Sequence, residues 1–181
     1  MDKEEIIFWR DRYNTEEDLY NTGIEEELSS KFQQNKMITK DDLIQIVKWK
    51  FQGRLFGRQQ RILRMIDSVE ISFIEDVSRL AFKIKNDEKR LKLLSCIDGV
   101  GNSLSSVILS FKEPQNYGVF DIHAWRGLFG PEPKNLSTNK KHIIKFFNKL
   151  RDISSQTGLL CRDIEKAFFK RDLEKPKNKF T

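Results

Sequence analysis

Three stretches of the chain carry residue types that could do chemistry. In "CIDGVGNSLSSVILSF", Cys96 to Phe111, Gly99 and Gly101 stand one residue apart just before an apolar run of helical spacing. Glycine tolerates positive φ and lets another backbone come close, so alanine at either place is expected to introduce strain. The helix that follows offers the unpaired N–H groups of its first turn, which favour an anion. Lined by glycine, that N-terminus favours an anion that must approach the main chain, such as a phosphodiester. The plain alternative is a tight helix-helix turn with a glycine C-cap. Eighteen positions after Ser103 comes Asp121, in "VFDIHAWRGLFG", where an aspartate ahead of an amphipathic run makes a good N-cap. The third stretch, Leu43 to Arg64, pairs an apolar helix face with Lys48, Lys50, Arg54, Arg58, Arg61 and Arg64, and holds Trp49, Phe51 and Gln52 beside Gly53. Its plain reading is a core of Trp49 and Phe51 under a solvated basic face.

The elements that must position these residues read as helices. Apolar residues recur at helical spacing in Leu43, Val47 and Phe51, in Ile74, Val77 and Ala81, and in Ile143, Phe147 and Leu150, whereas strand alternation is hard to find. Eight to ten short helices are expected. Starts are marked by Thr39, by Asn86 or Asp87, and by Ser137 or Thr138; the two helices flanking the glycines are expected to end near Ile97 and begin near Asn102. Three of the four prolines, Pro114, Pro131 and Pro133, cluster in the loops around Asp121. The 181 residues, 38% hydrophobic and 33% charged, suit a globular protein, with no apolar run of membrane-spanning length and no basic-apolar leader. Cys96 and Cys161 are the only cysteines, which excludes a four-cysteine zinc or iron-sulfur site, and both read as buried thiols. The net charge of +6 divides into −7 over residues 1–30 and +13 over the rest, a distribution that suits a polyanionic partner.

The run from Cys96 to Gly130 resembles the helix-hairpin-helix DNA glycosylases (the HhH-GPD superfamily). Their signature is a GVG hairpin, a helix, a loop ending in an apolar residue, and an aspartate opening the next helix. Here these parts are Gly99 to Gly101, Ser103 to Phe111, and Val119 to Gly130. The spacing from Ser103 to Asp121 is that of the endonuclease III-like and adenine-mismatch branches, and "DIHAW" is similar to the 8-oxoguanine branch. The resemblance implies an all-α, two-lobed fold. Residues 1–34 with 112–181 would form one lobe and 35–111 the other, with the hairpin ending the second lobe and a cleft between them.

The resemblance also implies roles. Cleaving an N-glycosidic bond builds positive charge on the sugar, and Asp121 is the carboxylate that would stabilise it and orient water. Capping and catalysis are compatible. At position 103 the strand-nicking members carry a lysine that forms an imine with the sugar; Ser103 cannot, which implies a monofunctional enzyme. Gly99, Val100, Gly101, Asn102 and His123 are implied contacts to the DNA backbone, with His123 equally open to a structural role. Gln52 would fill the gap left by an extruded base, with Arg54 and Arg58 beside it on the DNA, and Trp49, Lys50 and Trp125 would surround that base. Carbonyls of Cys96, Ile97, Gly99 and Gly101 frame a site for a monovalent cation such as sodium or potassium; no other cofactor and no iron-sulfur cluster is implied. The implied partner is double-stranded DNA bearing a lesion or mismatch, bound by a monomer in the cytoplasm near the nucleoid, or in a nucleus. Two alternatives stay open: a non-catalytic DNA-binding protein, and a glycosylase and lyase with a relocated lysine among Lys48, Lys50 and Lys112.

Overall fold

The structure, a computed structural model, describes residues 1–16, 19–51 and 56–174. The protein is all-α: among the described residues there are ten helices and no strand. These are α1 (Lys3–Glu16), α2 (Leu19–Gln34), α3 (Lys40–Phe51), α4 (Phe56–Asp67), α5 (Ile71–Lys83), α6 (Asp87–Leu94), α7 (Asn102–Lys112), α8 (Ile122–Phe129), α9 (Lys140–Thr157) and α10 (Cys161–Glu174).

Capping chemistry sets several of these starts. At α3, Thr39 Oγ1 accepts from the Asp42 N–H at 3.2 Å while Asp42 Oδ2 accepts from the Thr39 N–H at 2.9 Å, a reciprocal box that satisfies two donors at once. Asn86 caps α6 through the Lys89 N–H. The start of α9 differs from the expectation at Ser137 or Thr138. Those residues belong to a turn in which the N–H groups of Thr138 and Asn139 both donate to the Asn135 carbonyl, and Asn139 becomes the cap, accepting from Lys141 N–H at 3.0 Å.

Two helices organise the packing. α10 packs against α1, α8 and α9, and α7 against α2, α3 and α6, with α3 also on α4 and α5 on α6. α7 is buried on every side, from Leu104 through Phe111, as expected of a helix without a solvent face. One continuous apolar core runs from Ile6 to Phe168. Trp49, 6% exposed, meets the Phe111 ring edge-on at 5.1 Å, and Trp125, 4% exposed, packs between Phe120 and Phe129. Both indoles therefore belong to the core.

The joint before α7 is longer than expected, because α6 stops at Leu94 rather than near Ile97. Successive turns carry the chain on: Cys96 N–H to Leu93 O, Ile97 N–H to Leu94 O and Val100 N–H to Ile97 O. Gly99 has φ +88°, and a Cβ there would lie 3.2 Å from the Ile62 carbonyl, so both conformation and space call for glycine. Gly101 differs. Its φ of −93° and ψ of −175° suit any residue, and an added Cβ would meet nothing within 4 Å, so the expected strain applies to Gly99 alone. Cys96 is exposed, against expectation, because the turn after Leu94 rotates it outward. Cys161 is buried, and burial pushes its thiol up to about 11.

Candidate functional site

The segment that delivers Asp121 is held from both sides. Glu165 of α10 accepts from the Val119 N–H at 3.1 Å, and Ser106 Oγ of α7 accepts from the Phe120 N–H at 2.8 Å. Ser103 Oγ donates to the Phe120 carbonyl at 3.3 Å. Side chains of α7 and α10 thus do for this extended stretch what a neighbouring strand would do in a sheet. Gly118 makes the approach possible: a Cβ there would sit 2.6 Å from Glu165 Cβ and 2.7 Å from Leu150 Cδ1.

Asp121 then divides its two oxygens between two tasks. Oδ1 accepts from the His123 N–H at 2.9 Å and caps α8, while Oδ2 receives the Lys50 ammonium at 3.0 Å. Burial pushes the carboxyl up, but Lys50 and the His123 N–H outweigh it, and the group is held below the ordinary carboxylate value. The Lys50 side chain is 13% exposed and that of Asp121 22%. Both line a cavity of about 600 Å³, together with Ser103, Phe51, Phe120, Ile122, Arg58 and the loop from Glu132 to Ser137. Its walls are apolar on the Phe51, Phe120 and Pro133 sides, and its cations are Lys50, Arg58 and Lys134.

A second cavity, of about 550 Å³, lies between Arg90, Arg151 and Tyr117, and its chemistry is closed. Arg90 donates to Glu113, the Tyr117 hydroxyl and the carbonyls of Ala81 and Phe82, and Arg151 to Asp87 and the Asn116 carbonyl. With its guanidiniums spent on internal partners, it ties α6, α7 and α9 together and offers little to a ligand.

The structure brings Asp121, Ser103, Lys50 and Arg58 to one cavity, with Arg58 lying over the Phe51 ring at 5.5 Å. Trp49 and Trp125 do not line it; Trp125 stands behind Phe120 as a second layer. In the joint, the Val100 side chain points into the core and its N–H is spent on Ile97 O, and the Asn102 amide is spent on the Ser137 carbonyl at 3.0 Å. Gly101 remains the open position. His123 Nδ1 pairs with Asp172 at 3.0 Å. Gln52 and Arg54 lie outside the described residues. Of the carbonyls framing the cation site, those of Ile97 and Gly101 already accept from Val100 and Ser105, so a cation there would use their second lone pairs. Among the described residues no group of three His, Cys, Asp or Glu side chains could hold a metal, and no helix is long and apolar enough to cross a membrane. Sequence reasoning missed Glu132, Lys134 and Ser137 in the cavity wall and Glu165 behind it; the "GPEP" loop signal marks the first group, while nothing local marks Glu165.

Compared with protein-family models, with curated proteins and with solved structures, the chain matches none.

Proposed function

We propose that the protein is a DNA N-glycosylase of the helix-hairpin-helix type, which takes a damaged or mispaired base out of the duplex and hydrolyses its glycosidic bond. The observation that carries this reading is the Asp121 carboxylate, fixed by helix capping through one oxygen and presented through the other to a cavity that also holds Ser103. A carboxylate kept ionised in a sheltered place stabilises a sugar cation as it develops and orients the attacking water. The hairpin supports the reading in a specific way. Glycine at position 101 is required neither by its backbone angles nor by its neighbours, which leaves close approach from outside, as by a DNA phosphate, as the use for the missing side chain. Arg58 and Lys134 add positive charge at the cavity for the flanking strand. Ser103 has no amine to offer, so at the hairpin itself the reaction goes to water.

The test is a panel of duplex oligonucleotides carrying uracil, 8-oxoguanine, alkylated and deaminated purines and mismatches, scored for abasic sites by hot alkali. Wild type is expected to release at least one base, and Asp121→Asn to lose roughly 10²–10⁴-fold in rate, the range for a positioned acid-base or charge-stabilising group. Duplex binding with a steep salt dependence and no base release from any lesion would replace this reading with that of a non-catalytic DNA-binding protein.

A further inference from the structure

We infer that the base this cavity accepts is uncharged, such as uracil or 8-oxoguanine, and departs as an anion that Arg58 and Lys134 stabilise. The inference rests on the reading of Asp121 as the carboxylate that meets the sugar, and it names the class of base removed. A base attached to a sugar at Asp121 occupies the rest of the same cavity, so the charges in that wall decide which bases are tolerated. Two pairs there are already matched. Lys50 holds Asp121 at 3.0 Å, and both oxygens of Glu132 are taken by Arg126 at 2.6 Å. Arg58 and Lys134 line the cavity without a carboxylate partner among the described residues, which leaves the wall with two cations in excess.

That excess sorts the lesions. Purines alkylated at N3 or N7 carry a positive charge, which these cations repel. Sites that recognise such cations offer them electron-rich aromatic faces. Here Trp49 and Trp125 are buried away from the cavity, and the Phe51 ring already lies under the Arg58 guanidinium at 5.5 Å. An uncharged base is the opposite case. When its glycosidic bond breaks, the bonding electron pair goes with the base, and negative charge develops in the part of the cavity that holds Arg58 and Lys134. Asp121, kept ionised by Lys50, meets the positive half of the same bond. Water adds hydroxyl to C1′ and its other proton neutralises the departed base, so the hydrolysis balances without a further reagent.

The experiment uses the full chain at saturating protein, where single-turnover rates report the chemistry apart from binding. Duplexes carrying the uncharged lesions and mismatches of the panel are compared with duplexes carrying 3-methyladenine or 7-methylguanine, each corrected for base loss without protein. Wild type is expected to release an uncharged base at least about 10²-fold faster than either cationic one. The double variant Arg58→Gln, Lys134→Gln changes two exposed side chains and is expected to leave thermal unfolding unchanged. It is expected to slow release of the uncharged base roughly 10–100-fold and to narrow the preference over cationic purines. Cationic purines released as fast as uncharged bases overturn the inference and leave the glycosylase reading standing. So does a double variant that binds duplex less tightly at an unchanged single-turnover rate, in which case the two cations serve the flanking strand alone. No release of any base removes both.

Discussion

At the scale of single residues, Asp121 was legible in the sequence and its partner was not. An aspartate ahead of an amphipathic run announces a cap, and the cap is there. Lys50 was singled out as a wall of the base pocket and as one of three candidate lysines, but its pairing with Asp121 spans 71 positions and leaves no local pattern. The aromatic residues went the other way: a tryptophan at helical spacing is by default core, and Trp49 and Trp125 follow that default. The Asp121–Lys50 pair has a consequence that can be measured whatever the protein acts on. Burial alone raises the carboxyl, and Lys50 is the largest of the influences that bring it down. In wild type, the ¹³C carboxyl titration of Asp121 is expected to have its midpoint below the ordinary aspartate value of about 3.9. In Lys50→Gln the burial stays and the opposing charge goes, so the midpoint moves upward and the carboxyl protonates at a higher pH. A midpoint that did not move would mean that the ion pair is absent in solution.

At the scale of elements, one helix start was readable outright where a single capping residue stood alone, at Thr39, and another was narrowed to Asn86 or Asp87, of which Asn86 is the cap. At α9 three competent residues, Ser137, Thr138 and Asn139, followed one another, and the turn at Asn135 decided among them. Close helix approach was not readable, because a glycine inside a helical run looks the same whether it is crowded or free. Gly127 is crowded: a Cβ there would lie 2.5 Å from the backbone oxygen of Phe168, at the contact between α8 and α10. Backbone cannot rotate aside as a side chain can, so Gly127→Ala must push α8 off α10. A loss of about 1–3 kcal/mol is expected in urea unfolding, the range for overpacking. Gly23 lies within α2 with nothing near its absent Cβ, and Gly23→Ala is expected to gain roughly 0.5–1 kcal/mol through helix propensity. Opposite signs for two identical substitutions separate packing from propensity; a gain at Gly127 would contradict the α8–α10 contact.

For the whole molecule, the sequence divided its charge without saying where the two signs meet. They meet at α10. Glu5 pairs with Arg171, and Glu25, from the acidic lead, lies buried against Arg162 at 2.7 Å and Lys166 at 3.1 Å. Arg162 also pairs with Glu165, whose other contact holds Val119 two residues before Asp121, so one buried charge network runs from α2 to the candidate site. Burial raises Glu25, yet Arg162 and Lys166 prevail and hold it below its usual value; Asp87 and Glu113 are lowered in the same sense, against their own burial, by Arg151 and Arg90. A carboxylate lowered by folding contributes stability that is fully present above its unfolded pKa, about 4, and is lost as pH falls through the folded value. The melting temperature is therefore expected to be flat from pH 7 to about 5 on account of these groups and to fall steeply below about 4. Glu25→Gln leaves Arg162 and Lys166 buried with one countercharge fewer, which is expected to cost about 3–5 kcal/mol at pH 7 and to flatten the acid limb, since one of the groups producing it is gone. Chemical unfolding of both proteins at pH 7 and pH 4 checks the two effects together. An unchanged acid limb in the variant would show that Glu25 is not ionised in the fold.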